Sequence, residues 1–168
     1  MVTPTSCEKH PLGNEWILWI AENHEKSKNE NETEWADKTK KISTFDTVEE
    51  FWSVLNHIML PSGFKGNTDL CLFKKGIQPM WEDPQNIGGG RLMLKTVNAK
   101  KKDNSNVDKV WIEVCMAVLG GQFHDHDDSI NGIVFNSRPT HTKISLWIKG
   151  FVSVEAKAEI WEKFHSTP

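Results

Sequence analysis

No tyrosine occurs among the 168 residues, although there are eight tryptophans and eight phenylalanines. Large aromatic surface is therefore supplied without phenolic hydroxyls, and part of that tryptophan is expected to serve a ligand rather than a core. Only three cysteines are present, Cys7, Cys71 and Cys115. An odd number, widely spaced and without a CxxC pair, excludes a disulfide framework and a cysteine zinc site and points to a reducing compartment. No run of about 18 apolar residues exists to cross a membrane. Met1-Val2-Thr3-Pro4-Thr5-Ser6 lacks the charged and apolar regions of a signal peptide. Positive charge is not in excess: 20 Lys and Arg stand against 23 Asp and Glu, a net charge of −3. That excludes a general basic coat for nucleic acid, so any anion must be met by a few placed cations. No internal repeat is visible.

Hydrophobic residues at 38% and charged residues at 26% describe a soluble globular chain, and this length suits one domain with a proper core. Residues 1–9 read as a short tail and residues 10–168 as a single domain. Trp16-Ile17-Leu18-Trp19-Ile20 has the aromatic and β-branched character of a strand. Residues 22–34 are almost wholly polar and lead to Trp35, a lone aromatic at the tip of a polar loop, open either to a ligand or to local packing. Ile42–Phe45 is a short strand. Asp46-Thr47-Val48-Glu49-Glu50 opens a helix with capping-box spacing between Thr47 and Glu50. Val48, Phe51, Leu55 and Ile58 form its core stripe, while Trp52 and Met59 add apolar surface that suits either wide burial or a partner's helix.

The most telling stretch is Gly76-Ile77-Gln78-Pro79-Met80-Trp81-Glu82-Asp83-Pro84. Its two prolines favour extended backbone around a stiff loop. An indole face beside a carboxylate suits a flat cationic ligand, with stacking on the face and hydrogen bonds along the edge. The residues alone also allow Trp81 to plug the core beneath a turn, the commoner place for a large aromatic. Asn86-Ile87-Gly88-Gly89-Gly90-Arg91 lacks the GK[ST] of a phosphate cradle and reads as a tight turn feeding a strand over residues 91–97. Asn98–Asn106 is a lysine-bearing surface loop. A helix follows over residues 107–119, with Val107, Val110, Trp111, Val114, Cys115 and Val118 inward, closed by Gly120-Gly121. His124-Asp125-His126-Asp127-Asp128 fits a solvated turn better than a metal site. Residues 132–138 and 143–149 form a hairpin that brings Arg138 and Lys143 to one end. A last helix runs over residues 154–165 with Ser153 as its N-cap and Trp161 and Phe164 among its apolar residues. Short connections between strands favour an α+β fold with an antiparallel sheet.

Taken together these residues resemble the eukaryotic translation initiation factor 4E family, the messenger RNA cap-binding proteins. The resemblance rests on His10-Pro11-Leu12 with Trp16-x-Leu18-Trp19, on Phe45-Asp46-Thr47-Val48-Glu49-Glu50-Phe51-Trp52, and on Asn56-His57-Ile58. It continues through Leu72-Phe73-Lys74-x-Gly76-Ile77-x-Pro79-Met80-Trp81-Glu82-Asp83, Gly89-Gly90-Arg91 and Trp111-x-Glu113, and closes on Asn136-Ser137-Arg138 and Lys143-Ile144-x-Leu146-Trp147. It implies a curved antiparallel sheet with three helices on its convex face and the cap in its concave side. It also implies that Trp35 and Trp81 sandwich 7-methylguanine, that Glu82 takes the guanine edge, and that Trp147 lies against the methyl group. Arg91, Arg138 and Lys143 would meet the triphosphate.

On the opposite surface, His10, Pro11, Val48, Trp52, Ile112, Met116 and Gly120 would bind an initiation scaffold protein of the 4G type and 4E-binding repressor proteins. The implied activity is binding of capped mRNA in the cytoplasm, or in cytoplasm and nucleus, without a cofactor, a metal, a catalytic residue or a membrane. Two alternatives stand beside it: a cap-binding repressor, and a metal-dependent nucleotide hydrolase using His124, Asp125 and His126. The chain departs from the family's pattern in places. The loop before Trp35 is longer, Leu92 replaces a usual Trp, and Thr140 replaces a usual basic residue, which predicts weaker triphosphate binding. The chain ends at Pro168, short of the family's last strand and tail.

Overall fold

The computed structural model describes residues 8–22, 39–64, 66–94 and 105–166. Trp35, the polar stretch 23–34, the expected strand end 95–97 and most of the loop to residue 104 lie outside the described residues. The elements run β1 (Pro11–Glu22), β2 (Thr39–Thr47), α1 (Val48–His57), β3 (Thr68–Lys74), β4 (Gly90–Leu94), α2 (Ser105–Leu119), β5 (Ile130–Arg138), β6 (His141–Ile148) and α3 (Val154–Ser166). Short 3-10 turns at Pro61–Gly63 and His124–Ser129 complete the description. The six strands form one curved sheet in the order β2-β1-β3-β5-β6-β4, and every pair is antiparallel.

Residues opposed in an antiparallel ladder share a face, so the register sorts side chains into rows. Leu18, Leu72, Ile133 and Leu146 form one row, and Ile20, Leu70, Phe135 and Ile144 the next. These rows point at the helices. They join Phe51 and Leu55 of α1, Val107, Trp111, Val114, Cys115 and Val118 of α2, and Ile160 and Phe164 of α3 in the main core. The alternate residues build the other face. Phe73, Gly132, Trp147 and Arg91 lie in one row there, and Trp19, Cys71, Val134, Ser145 and Met93 in the next. Beyond them come Asp69, Asn136 and Lys143, then Arg138 opposite His141. That face thus runs from aromatic to charged along the strands, over about 20 Å between the rows of Trp147 and His141.

Local chemistry accounts for the helix ends. Thr47 is extended and its hydroxyl accepts from Glu50 N at 3.4 Å. Only half of the expected capping box forms, because the Glu50 carboxylate accepts from Asp46 N at 3.4 Å and not from Thr47 N. The core stripe of α1 is also narrower than the spacing implied: Phe51 and Leu55 are buried, whereas Val48 is 37% exposed at the first turn and Ile58 lies past the last one. Helix α2 closes on Gly121 at φ +64°, with Gln122 N donating to Ala117 O and Gly121 N to Val118 O. Ser153 Oγ accepts from Ala156 N, capping α3.

Candidate functional site

The loop carrying Trp81 and Glu82 is held by side chains as much as by its prolines. Asp83 accepts from Gln78 N and from Gln85 N, both at 2.8 Å. Asn86 is buried, and its amide donates to Gln78 O at 2.9 Å and Met80 O at 2.8 Å. The same amide accepts from Asn131 Nδ2 at 2.9 Å, and Asn131 donates as well to Gln85 O at 2.7 Å. Asn131 is the extra residue of a bulge in β5, lying between the paired positions Ile130 and Gly132. The bulge turns its amide out of the ladder and onto the loop. Asp83, Asn86 and Asn131 were not among the expected site residues. Asn86 was legible only as the start of a glycine turn, and nothing in the sequence marks a bulge at Asn131.

Opposite this loop, Trp147 projects from β6 into a small second apolar cluster with Cys71, Phe73 and Val134. Gly132 makes room for Phe73 of that cluster: a Cβ there would lie 2.5 Å from both Leu72 O and the Phe73 ring. Phe73 meets Trp147 edge-on at 5.6 Å. Trp81 stacks on Trp147 with ring centroids 3.9 Å apart at 29°, and the Arg91 guanidinium lies 5.5 Å from the Trp81 ring centre. One Trp81 face is therefore covered by Trp147, yet the residue remains 44% exposed.

A cavity of about 300 Å³ opens on this face, lined by Trp81, Glu82, Arg91, Arg138 and Trp147 among others. Five of the seven residues expected to hold a ligand thus surround one space. Lys143 lies outside the lining, on the same face opposite Asn136. Trp35 lies outside the described residues. Two further lining residues, Asp69 and Asn136, were not anticipated. Asp69 is buried and binds Arg138 through both oxygens, at 2.5 Å and 3.1 Å, while Asn136 Nδ2 donates to it at 2.8 Å. The Cys71 thiol also lines the cavity, but burial pushes its pKa well above the usual range, so it packs and does not attack.

The residues expected to meet protein partners lie at the helical surface. Val48, Trp52 and Met116 are exposed, and Ile112 is half-buried. Pro11, Val48 and Gly120 line a groove of about 330 Å³ between the start of β1 and the end of α2. His10 is tied to α1: its Nδ1 lies 2.6 Å from one Glu49 oxygen, and its backbone N donates to the other at 3.0 Å. That imidazole bond holds the Glu49 carboxyl down to about 2. The His124–Asp128 stretch is engaged in local structure: His126 Nε2 meets Glu159 at 2.7 Å, and Asp127 accepts from Phe123 N and, through its carbonyl, from Lys74 Nζ. Among the described residues no group of three or more His, Cys, Asp or Glu is placed to hold a metal.

The fold and this geometry define an antiparallel sheet with a cavity on its open face and a groove at its helical back. The sequence profile described as Eukaryotic initiation factor 4E matches residues 11–167, and the chain belongs to that family. It is 41% identical over 160 residues to the eukaryotic translation initiation factor 4E of Xenopus laevis, covering 95% of this chain and 71% of that protein. Among solved structures it is similar to Ascaris suum eIF4E-3 with an m7G cap, with a TM-score of 0.85, 38% identity, and coverage of 95% of this chain and 84% of that one. It is also similar to the C. elegans eIF4E-3 complex with the 4E-binding protein Mextli and a cap analog, with a TM-score of 0.81, 38% identity, and coverage of 96% and 88%.

Proposed function

We propose that this chain binds the 7-methylguanosine cap of messenger RNA in the cavity on the open sheet face and passes it to the initiation machinery through a scaffold protein on its helical surface. The observation that carries this reading is the meeting of Trp81, Glu82, Arg91 and Trp147 around one cavity whose far end is charged. Methylation at N7 makes guanine cationic, so it gains from an indole face in a way that plain guanine does not. The stacked Trp81–Trp147 pair offers that surface, and the base either displaces one ring or takes the open face of Trp81. Glu82 accepts the donors on the guanine edge, and Trp35 closes the sandwich from the other side. Arg91, Arg138 and Lys143 meet the triphosphate. Two of the similar structures support the reading by their ligands, one holding an m7G cap and one holding a 4E-binding protein together with a cap analog.

The protein acts by binding, without chemistry on the cap, and works in the cytoplasm. His126, the central histidine of the alternative hydrolase reading, is paired with Glu159 of α3. The helical surface, with Trp52, Val48 and the groove at Pro11 and Gly120, takes the scaffold protein and the 4E-binding repressors. The test is retention of the protein on a 7-methylguanosine triphosphate resin. Elution by that nucleotide and not by GTP, with tryptophan quenching on titration, is the expected result; equal elution by GTP overturns the reading.

A further inference from the structure

Arg138 does not offer its full charge to the cavity. Its guanidinium is forked on Asp69 and its Nη1 also donates to Ser137 O at 2.7 Å. Three of its five N–H donors are committed, and the buried carboxylate offsets its charge. The neighbouring position Thr140 brings a hydroxyl and no cation. A phosphate chain leaving the base site toward this end of the sheet therefore gains from a positive group beyond Arg91 and Lys143.

The β5–β6 hairpin supplies one. The ladder pairs Arg138 with His141 and Asn136 with Lys143, which places His141 on the cavity face directly across from Arg138 and two residues from Lys143. Directly opposed side chains on one face start only about 5 Å apart. His141 is half-exposed, and its Nδ1 lies 2.9 Å from Thr140 Oγ1. That contact fixes the ring and leaves Nε2 for a second partner. In the protonated ring, Nδ1–H donates to Thr140 and Nε2–H is available to an anion.

We propose that His141 is a phosphate-binding residue of this site, so that affinity for the triphosphate, and not for the methylated base, rises with acidity. This rests on the cap-binding reading above. Among the described residues, the charged groups that neighbour His141 by register on this face are Arg138 and Lys143, with Asp69 beneath Arg138, while Arg91 and Glu82 stand further along at the base end of the cavity. A bound triphosphate brings negative charge beside His141, Arg138 and Lys143. An imidazole is the side chain whose charge changes near neutrality.

The experiment titrates 7-methylguanosine triphosphate and the 7-methylguanosine nucleoside against wild type, His141→Gln and His141→Lys at about pH 6 and about pH 8. Protonation of the ligand itself cancels in each ratio of wild type to variant. The wild-type advantage over His141→Gln for the triphosphate should grow about threefold to fivefold on acidification, the scale of one partly exposed charge pair. The nucleoside should show no such growth. His141→Lys should hold the acid-level affinity at about pH 8, which a purely structural histidine would not allow. A triphosphate ratio that is the same at both pH values, or a His141→Lys protein no better than His141→Gln at the higher pH, overturns the assignment. Failure of wild type to bind even the nucleoside overturns the cap reading, and the assignment with it.

Discussion

Asn86→Ala tests what holds the Trp81–Glu82 loop. The amide makes three hydrogen bonds, to Gln78 O, Met80 O and Asn131 Nδ2, from a buried position. Alanine leaves two carbonyls and one N–H without those partners. A net worth of about 1 kcal/mol for each lost bond gives a destabilisation of about 3 kcal/mol. Water reaching the exposed side of the loop would lower that toward about 1 kcal/mol, whereas fully orphaned groups would raise it. The effect on binding follows from order. If the loop keeps its binding geometry only about a tenth of the time, the apparent cap affinity falls about tenfold. Urea denaturation followed by tryptophan emission measures the first quantity, and titration with 7-methylguanosine triphosphate the second. Pro79→Ala is the comparison, since it removes a backbone restraint and no hydrogen bond. The reasoning is refuted if Asn86→Ala unfolds within about 0.5 kcal/mol of wild type and keeps its cap affinity. It is equally refuted if Pro79→Ala weakens binding more than Asn86→Ala does, because the stiffness would then reside in the proline.

Glu82→Gln should cost about 1–3 kcal/mol of cap affinity by replacing an acceptor-only group with one that confronts the guanine donors with its own NH₂; equal affinity for both proteins removes Glu82 from the base edge. Trp52→Ala should remove about 2 kcal/mol or more of affinity for a 4E-binding peptide while leaving cap titrations unchanged, because Trp52 and the cavity lie on opposite sides of the sheet. A folded variant that keeps its peptide affinity, or loses cap affinity, contradicts that separation. The His10–Glu49 tie should show in acid. Its carboxyl is held at about 2, below the ordinary value of 4.5, so the tie stabilises the fold above that ordinary value and is lost as pH falls toward about 2. The stability gap between wild type and Glu49→Gln should therefore narrow from about pH 5 downward, and a gap independent of pH would sink this account.

The architecture was legible because alternation and 3.6-residue periodicity are local properties of the chain. The strand at Trp16–Ile20, the hairpin around Pro139-Thr140 and the buried face of α2 all lie where the residue pattern puts them. Much of the candidate site was legible for a similar reason: Trp81 with Glu82 between prolines is an unusual local string, and Arg91, Arg138 and Trp147 were recoverable through the family pattern. Val48 shows where periodicity misleads. Its spacing fits the core stripe, but it stands at the first turn of α1, where the helix has only just met the sheet and Phe51 is the first residue covered.

By itself, then, the sequence determined which segments are strands and helices, which face of α2 turns inward, and that one stiff loop carries an indole beside a carboxylate. These follow from side-chain periodicity, β-branching and proline geometry, which act within a few residues. Only the tertiary structure decided that Asn131 pins a loop 45 residues away, that Asp69 claims Arg138 across 69 residues, and that Trp81 rests on Trp147. Those contacts depend on strand register and on a single bulged residue in β5. A shift of one position would turn every such side chain to the opposite face, and no local pattern records which register wins.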